Sequence, residues 1–145
     1  MFGQAGTAAI DLAALGGEGY RIDGAGAVDA ASYAVANAGD VNADGRPDAL
    51  VGAPLANPNF RADSGSVYVV FGKATTATID LAALGSDGYR IDGAAVNDQL
   101  GAALAGAGDV AGDGRLDILL GAPLADNNGR TDSGSAYTSV SPACS

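Results

Sequence analysis

Residues 40–48 read Asp-Val-Asn-Ala-Asp-Gly-Arg-Pro-Asp, and the apolar run Ala-Leu-Val-Gly-Ala-Pro follows at 49–54. The loop has oxygen-bearing side chains at positions 40, 42 and 44, a glycine at 45 and a further carboxylate at 48. Ca²⁺ takes roughly six to eight oxygen ligands, and alternate side chains of a tight loop can converge on one ion. A glycine at the sharp turn reaches positive φ without a Cβ clash. The stretch therefore predicts a cation-binding loop that leads into a buried strand.

The whole loop returns once, 69 positions further along the chain. Residues 109–117 read Asp-Val-Ala-Gly-Asp-Gly-Arg-Leu-Asp and lead into Ile-Leu-Leu-Gly-Ala-Pro at 118–123. The same shift aligns the chain with itself without a gap, and more than half of the paired positions are identical. The most similar pairs are 2–3 with 71–72, 10–16 with 79–85, 19–24 with 88–93 and 63–66 with 132–135. Two copies in register with no linker between them are typical of stacked structural units.

Within one unit, short segments with strand character alternate with turn residues. Residues 49–53 form a continuous apolar run, as expected for a strand buried on both faces, and Pro54 ends it because proline cannot donate to a sheet. The other predicted strands are 33–38, 66–71 and a half-exposed outer strand at 89–92, while 79–84 predicts a connector without a helix cap. This spacing is typical of a β-propeller blade. The predicted fold class is all-β, with two propeller blades of four short antiparallel strands each.

Three motifs of this unit occur together: Phe71-Gly72, the D-x-N-x-D-G-x-x-D loop and Gly52-Ala53-Pro54. In combination they resemble the FG-GAP repeat of integrin α-subunit propellers and of many bacterial extracellular proteins. The resemblance covers nearly the whole chain. It implies propeller blades that hold Ca²⁺ in the loop between their first two strands, within complete propellers of seven blades. The chain then divides into residues 1–72, with an outer strand, a calcium loop and blade 1, and residues 73–145, with the outer strand of blade 1, a calcium loop and an incomplete blade 2.

The predicted metal ligands are side-chain oxygens of both loops and one backbone carbonyl in each. In the first loop they are Asp40, Asn42, Asp44 and Asp48, with the carbonyl of Arg46. In the second loop they are Asp109, Asp113 and Asp117, with the carbonyl of Arg115. Ala111 stands where the first loop has Asn42, so the second loop keeps its three carboxylates and loses a neutral ligand. We therefore expect weaker Ca²⁺ binding at the second loop.

Three alternatives to a calcium loop are less compatible with the sequence. Each stretch is also compatible with a polar turn whose carboxylates are only solvated, but a chance match in register before Gly-Ala-Pro is rare. An EF-hand is disfavoured because it needs a bidentate Glu at the twelfth loop position, where this chain has Val51 and Leu120. Mg²⁺ requires a small octahedral site and keeps its waters, so a loop with many protein ligands favours Ca²⁺.

Composition excludes several classes of function. Seventeen acidic and seven basic residues give a net charge of −10 without a basic cluster, so a nucleic-acid partner is not expected. The chain has no His, which removes every mechanism that needs an imidazole, and its single Cys144 cannot form an internal disulfide. We expect no membrane insertion because no apolar run approaches the roughly 20 residues of a membrane span. No signal peptide is recognisable, so localisation stays open; the resemblance implies an extracellular or cell-surface parent.

The order of strands also predicts self-association. Residues 19–23 match the outer strand 88–92, with no blade before them, while the third strand that begins at 135–137 has no outer strand after it. Unpaired strand edges are templates for association. We expect the N-terminal strand of one chain to complete the second blade of another, which closes a ring of two, three or four copies if propellers have about four to eight blades.

Two classes of function follow from these features. The first is a calcium-stabilised structural and protein-interaction module, adhesion-like, that assembles with itself and binds a protein or small-molecule ligand. The unmatched aromatic residues Tyr33 and Phe60 are its candidate contact residues. The second is a calcium-dependent hydrolase of phosphoesters, with organophosphate or lactone-type substrates, in which the bound ion acts as a Lewis acid. Its base is a metal-bound hydroxide or a carboxylate such as Asp63 or Asp132, and no catalytic residue is assigned.

Overall fold

The computed structural model describes residues 6 and 8–139 of the chain. Over this part of the sequence nine strands form: β1 (Ile22–Asp23), β2 (Ala34–Gly39), β3 (Asp48–Ala53), β4 (Ser66–Val70), β5 (Ile79–Asp80), β6 (Gly88–Asp92), β7 (Ala103–Gly108), β8 (Asp117–Ala122) and β9 (Ser135–Ser139). The helical segments there are 3₁₀ turns of three residues, at Leu12–Ala14, Pro58–Phe60, Leu81–Ala83 and Gly85–Asp87. The predicted all-β fold class is confirmed.

The first blade is an antiparallel sheet with the strand order β2-β3-β4-β6. All five residues of β4 are buried, which explains the run of Val and Tyr, since these side chains pack well on a pleated surface. The outer strand β6 comes from the second 69-residue unit, as predicted. Each of the four predicted strands of this blade differs from the observed strand by at most one residue at either boundary.

The second blade repeats the first as far as its third strand. Its sheet has the order β7-β8-β9, and both hairpins carry the same irregularity, between Asn37 and Gly39 in the first blade and between Gly106 and Gly108 in the second. β9 continues to Ser139, although residues 138 and 139 differ from their counterparts in β4. No fourth strand borders β9 within residues 8–139.

The N-terminal outer strand is shorter than predicted. Of residues 19–23, only β1 has strand geometry, and it pairs in parallel with β5. The N–H of Ile79 donates to the carbonyl of Arg21 at 2.9 Å. This parallel pairing of the connector was not predicted. The FG motif at 2–3 and Cys144 lie outside the described residues.

The connector after β5 differs from prediction in one detail. It was expected to lack a helix cap, but the carboxylate of Asp80 accepts the N–H of Ala82 at 2.9 Å and caps the 3₁₀ turn Leu81–Ala83. Asp11 does the same for Ala13 in the first copy. The prediction of an uncapped segment was wrong because Asp is a strong N-cap residue even for a single turn.

The core has two apolar layers. The first lies between the sheets, where Leu50, Val67 and Val69 of blade 1 pack with Ile118 and Leu120 of blade 2. The second covers the other face of blade 1, where the N-terminal segment contributes Tyr20 and Ile22. Blade 1 is therefore covered on both faces along β3 and β4, whereas Val35 on β2 is exposed.

The two blades approach each other backbone to backbone at one point. A Cβ added to Gly52 on β3 would overlap the carbonyl oxygen of Gly101, which precedes β7. Only glycine allows so close an approach. Small residues thus let the sheets stack without large aromatic side chains between them.

Candidate functional site

The first predicted cation loop connects β2 to β3. It curls around the carboxylate of Asp40, whose two oxygens accept the N–H of Asp44 at 3.0 Å and of Gly45 at 2.8 Å. The carboxylate of Asp44 in turn accepts the N–H of Arg46 at 2.8 Å. Ala43 and Gly45 have positive φ values of 60° and 86°, and these turns bring positions 40, 42 and 44 together. The loop is thus preorganised by its own acidic side chains.

The second loop, between β7 and β8, has the same backbone geometry. Asp109 accepts the N–H of Asp113 at 3.0 Å and of Gly114 at 2.8 Å, and these bonds, that of Gly114 first, hold the pKa of Asp109 below its usual value. Asp113 accepts the N–H of Arg115 at 3.0 Å. Gly112 takes the positive-φ position of the first loop's Ala43. The substitution Ala111 therefore changes the ligand set and leaves the loop conformation intact.

The ninth residue of each loop is buried. Asp48 is 2% exposed, and its oxygens accept the N–H of Val41 and of Gly72, each at 2.8 Å. Burial raises the pKa of Asp48, while the N–H bonds from Gly72 and Val41 oppose that rise. The carboxylate joins the start of the loop to the residue that follows β4 by two. Asp48 therefore stabilises the fold through these two hydrogen bonds, a role that we call the brace and that does not depend on whether Asp48 also binds a cation.

Asp117 has the same place in the second blade and is fully buried. Its Oδ2 accepts the N–H groups of Val110 at 2.9 Å and Ala111 at 3.1 Å. Its Oδ1 is buried and accepts no hydrogen bond from the residues that the structure describes. The 69-residue shift assigns the donor equivalent to Gly72 to position 141, which lies outside those residues.

The donor chemistry of both loops fits a hard cation. No group of three or more acidic side chains is already close enough to hold a metal ion within the described residues. The carboxylates instead accept backbone N–H groups, one for each oxygen of Asp40, and an ionised carboxylate has about four acceptor positions. Each oxygen therefore retains acceptor capacity toward an ion. The fit is to an oxygen-binding ion such as Ca²⁺, through Asp40, Asn42, Asp44 and the Arg46 carbonyl.

The acidic residues considered as hydrolytic bases lie far from these loops. The first cation loop leads into the start of β3, whereas Asp63 is in the loop that joins the end of β3 to β4. Six residues of extended strand span roughly 20 Å. Asp132 has the equivalent place in blade 2. Because neither carboxylate is near the cation loop of its own blade, this arrangement gives no support to the hydrolase alternative.

The loops at the opposite end of the blades from the cation loops make polar contacts that the sequence did not predict. We call this end the far rim. Arg61 Nε donates to the carbonyl of Gly93 at 3.0 Å. The N–H of Asp63 donates to Asn57 Oδ1 at 2.7 Å. Repetition of Arg-x-Asp-Ser-Gly in both units was the available signal. The acceptor is a backbone group 32 positions away, so no pattern of side chains identifies it.

The unmatched aromatic residues are both exposed. Phe60 is fully exposed on the far rim and has a φ of 60°, which is rare for a bulky residue. Tyr33 is 69% exposed just before β2. In contrast, Tyr68, which repeats with the blade, is buried in the core of blade 1. Its counterpart Tyr137 on β9 is 38% exposed.

Comparisons with known proteins agree with this architecture. The family model described as FG-GAP repeat matches residues 31–70 and 100–138, more than half of the chain. Each match spans the first three strands of one blade together with its cation loop. The resemblance that the motifs indicated is therefore confirmed.

Two curated proteins with similar sequences are integrin α-chains. Integrin alpha pat-2 of Caenorhabditis elegans is 35% identical over 126 residues, which cover 74% of this chain and 9% of that protein. Integrin alpha pat-2 of Caenorhabditis briggsae is 38% identical over 96 residues, which cover 62% of this chain and 7% of that protein. The chain thus spans less than a tenth of the length of these relatives. None of the helical segments in the described residues is long and apolar enough to cross a membrane.

Proposed function

Because the chain belongs to the FG-GAP repeat family, we propose that it is a calcium-binding interaction module that assembles with copies of itself. Its two units are residues 1–72 and 73–145. The observation that carries the proposal is the repetition of one preorganised acidic loop at the same place in two stacked blades. By analogy with the integrin α-chains that it resembles, the module serves adhesion-like protein contacts outside the cell or at its surface.

Calcium binding is supported by the loop geometry and by the charge of the chain. Each loop gathers carboxylates on a short backbone segment that acidic side chains already fold. With a net charge of −10, bound cations relieve repulsion that the seven basic residues leave uncompensated. Because the loop joins β2 to β3, ion binding is coupled to the folding of the hairpin, as in other metal sites.

The difference between the loops gives a test. We expect calorimetric titration with Ca²⁺ to resolve two sites, the first loop binding about tenfold more tightly, since ligand number and charge tune such sites. Asn42→Ala should weaken the first site to the level of the second, and Ala111→Asn should strengthen the second site.

The matched control is the double variant with both changes, in which the order of the two affinities should be reversed. Equal affinity at both loops of the unmodified chain would contradict the role of position 42. A titration without heat at either loop, confirmed by equilibrium dialysis, would contradict calcium binding itself.

Self-assembly is supported by two apolar faces that the repeat leaves uncovered. Leu50 is fully buried because blade 2 covers it, whereas its counterpart Leu119 is 40% exposed. On the other side, Val35 is 67% exposed, although its counterpart Leu104 packs into the core between the blades. Each exposed residue thus has a counterpart that is covered by a neighbouring blade.

The two faces are complementary. An apolar cavity of about 240 Å³ lies on the open face of blade 2, and Ala105, Leu119 and Ala136 are among its lining residues. The corresponding face of blade 1 receives β7 of blade 2. In a second copy, β2 is the strand equivalent to β7 and carries the exposed Val35. This β2 can therefore pack on the open face of blade 2 as β7 packs on blade 1. The contact joins different surfaces of two copies, so it is heterologous and propagates until a ring closes.

This contact predicts a variant that separates the copies without unfolding them. We expect Leu119→Asp to convert the assembled chain to a monomer in sedimentation velocity, because an uncompensated charge would be buried between blades. Circular dichroism should remain that of the unmodified chain.

Leu124→Asp is the matched control, since Leu124 is 37% exposed and does not line the cavity. It should leave the assembly intact. If the unmodified chain sediments as a folded monomer at micromolar concentrations, the self-assembly proposal is wrong.

The rim of the module offers a contact for other proteins. Phe60 projects from the far rim in a strained backbone conformation, and strain of this kind is concentrated at functional sites. Aromatic side chains are enriched in the energetic centres of protein interfaces. We propose Phe60 as the contact residue for a protein ligand.

A further inference from the structure

In blade 1, the outer strand is held by a clasp of three side chains. Asn59 Nδ2 donates to Asp92 Oδ2 at 3.0 Å, and the hydroxyl of Ser66 donates to Asp92 Oδ1 at 3.2 Å. Arg61 Nε donates to the carbonyl of Gly93 at 3.0 Å. The clasp thus fixes the end of β6 through one carboxylate and one carbonyl.

Blade 2 has the same three residue types at the equivalent positions, and no strand of the described chain other than β8 lies beside β9. These residues are Asn128, Arg130 and Ser135, which line an open polar cleft of about 460 Å³ beside β9. The loop backbones are similar in the two blades: φ is 53° at both Asn59 and Asn128, and it is 48° at Asp63 and 49° at Asp132. The cleft is therefore preformed for a strand equivalent to β6.

The polar groups of the cleft are oriented by one further residue. Asn127, which replaces the Pro58 of the first copy, donates from Nδ2 to Ser135 Oγ at 2.6 Å and to the carbonyl of Gly134 at 3.0 Å. A hydroxyl that accepts a hydrogen bond still has its own proton to donate. Ser135 is therefore left with its donor for a carboxylate in the cleft.

We infer that this cleft binds residues 19–24 of a second copy of the chain, added as an antiparallel strand beside β9. This inference rests on the proposed self-assembly and names its polar contacts. Residues 19–24 and 88–93 have the same sequence, Gly-Tyr-Arg-Ile-Asp-Gly. The partner's Asp23 accepts from Asn128 and Ser135, and the carbonyl of the partner's Gly24 accepts from Arg130.

The segment can dock without leaving its own chain. β1 pairs with β5 through the carbonyl of Arg21, and successive residues of a strand direct their hydrogen-bonding groups to opposite edges. In β6, the edge that pairs with β4 is the one that includes Gly93, whose N–H donates to the carbonyl of Gly65 at 2.8 Å. The equivalent edge of the first copy includes Gly24 and lies opposite the edge that β5 uses.

The register of docking follows from blade 1, where Ser66 is opposite Asp92 and Tyr68 is opposite Arg90. The same register puts Ser135 opposite Asp23 and Tyr137 opposite Arg21 of the second copy. Arg21 and Asp23 already form an ion pair at 2.6 Å, as Arg90 and Asp92 do. The docking segment therefore has the side-chain arrangement that the clasp of blade 1 accepts.

Cross-linking tests the register. One chain carries Arg21→Cys and another Tyr137→Cys, both with Cys144→Ser, and the two are mixed under mild oxidation. Directly opposite residues of this kind have Cα atoms about 4.5–5.5 Å apart, which suits a disulfide. We expect the mixed dimer to form at least about tenfold faster than when Ser139→Cys replaces Tyr137→Cys, since that pair is two residues out of register.

A matched pair of arginine variants tests the clasp. Arg130→Ala should raise the dissociation constant of the assembly by about tenfold or more, because it removes a charge-assisted hydrogen bond between copies. Arg61→Ala removes the same bond within one chain, so it should lower the melting temperature and leave the dissociation constant nearly unchanged.

The outcomes separate the cleft from self-assembly. Assembly with in-register cross-linking and an Arg130→Ala effect supports both. Assembly with equal cross-linking in both registers, or without an Arg130→Ala effect, overturns the cleft and leaves self-assembly standing. In-register cross-linking of a chain that sediments as a monomer supports the cleft and overturns stable self-assembly. If the chain shows neither assembly nor cross-linking at several hundred micromolar, both the cleft and self-assembly are overturned.

Discussion

Asp48→Ala is expected to lower the free energy of unfolding by about 3 kcal/mol or more. The carboxylate is 2% exposed and accepts two backbone N–H groups, from Val41 and Gly72. Its removal leaves the N–H of Val41 buried and that of Gly72 partly buried without an acceptor, and an unsatisfied buried group costs about 1–3 kcal/mol. Urea denaturation followed by circular dichroism, with a chelator present, measures this loss without any contribution from bound ions.

Asp44→Ala is the control, because Asp44 is exposed and accepts one backbone N–H group, that of Arg46, besides the side-chain amide of Asn42. In chelator it should cost no more than about 1 kcal/mol. With Ca²⁺ present the variant should instead lose the stabilisation that the ion gives to the first loop. If Asp48→Ala and Asp44→Ala were equally mild in chelator, the brace role of Asp48 would be wrong.

Gly52→Ala is expected to destabilise the chain by about 3 kcal/mol. The new Cβ would overlap the carbonyl oxygen of Gly101, which is backbone and cannot rotate away. Overpacking of this kind usually costs about 1–3 kcal/mol, and here the two blades would have to separate. A fall in the denaturation midpoint measures the effect.

Gly121→Ala provides a matched control at the equivalent position of blade 2. There the new Cβ would meet the Cβ of Ala103 at 3.2 Å and the carbonyl oxygen of Ala103 at 3.4 Å. In the Leu119→Asp monomer, where contact between copies does not contribute, we expect a change of less than about 1 kcal/mol, partly offset by the lower entropy of the unfolded chain. Similar losses at Gly52 and Gly121 would contradict the idea that close backbone approach holds the blades together.

The sequence predicted the strands of blade 1 because their patterns are local. Residues 49–53 are apolar throughout, and 89–92 alternates, so each segment indicates its own burial. The repeat then transferred the same strands to the second unit. The short parallel pairing of Ile22 with Ile79 was not predictable in this way, because it depends on where a connector passes over the blade before it.

The presence of an acidic loop was predictable, and the roles of its residues were less so. The spacing of Asp40, Asn42 and Asp44 gave the loop, and the structure has that loop in both blades. The same spacing gave no sign that Asp48 binds the N–H of Gly72, since a backbone donor 24 positions away leaves no trace in a motif. The clasp on the far rim was missed for the same reason: Arg61 recognises a carbonyl oxygen.

Because one chain contributes two stacked blades, the proposed ring can have only certain numbers of blades. Under the proposed self-assembly, two blades from each copy give four, six or eight blades, and the seven-bladed ring implied by the FG-GAP resemblance needs a blade in addition to those of residues 1–145. Two, three or four copies require successive blades to turn by about 90°, 60° or 45° around the axis, within the range of four to eight blades. The packing of β2 against β7 sets that angle inside each chain. Closure demands the same angle between copies, so one intramolecular angle determines how many chains complete the circle.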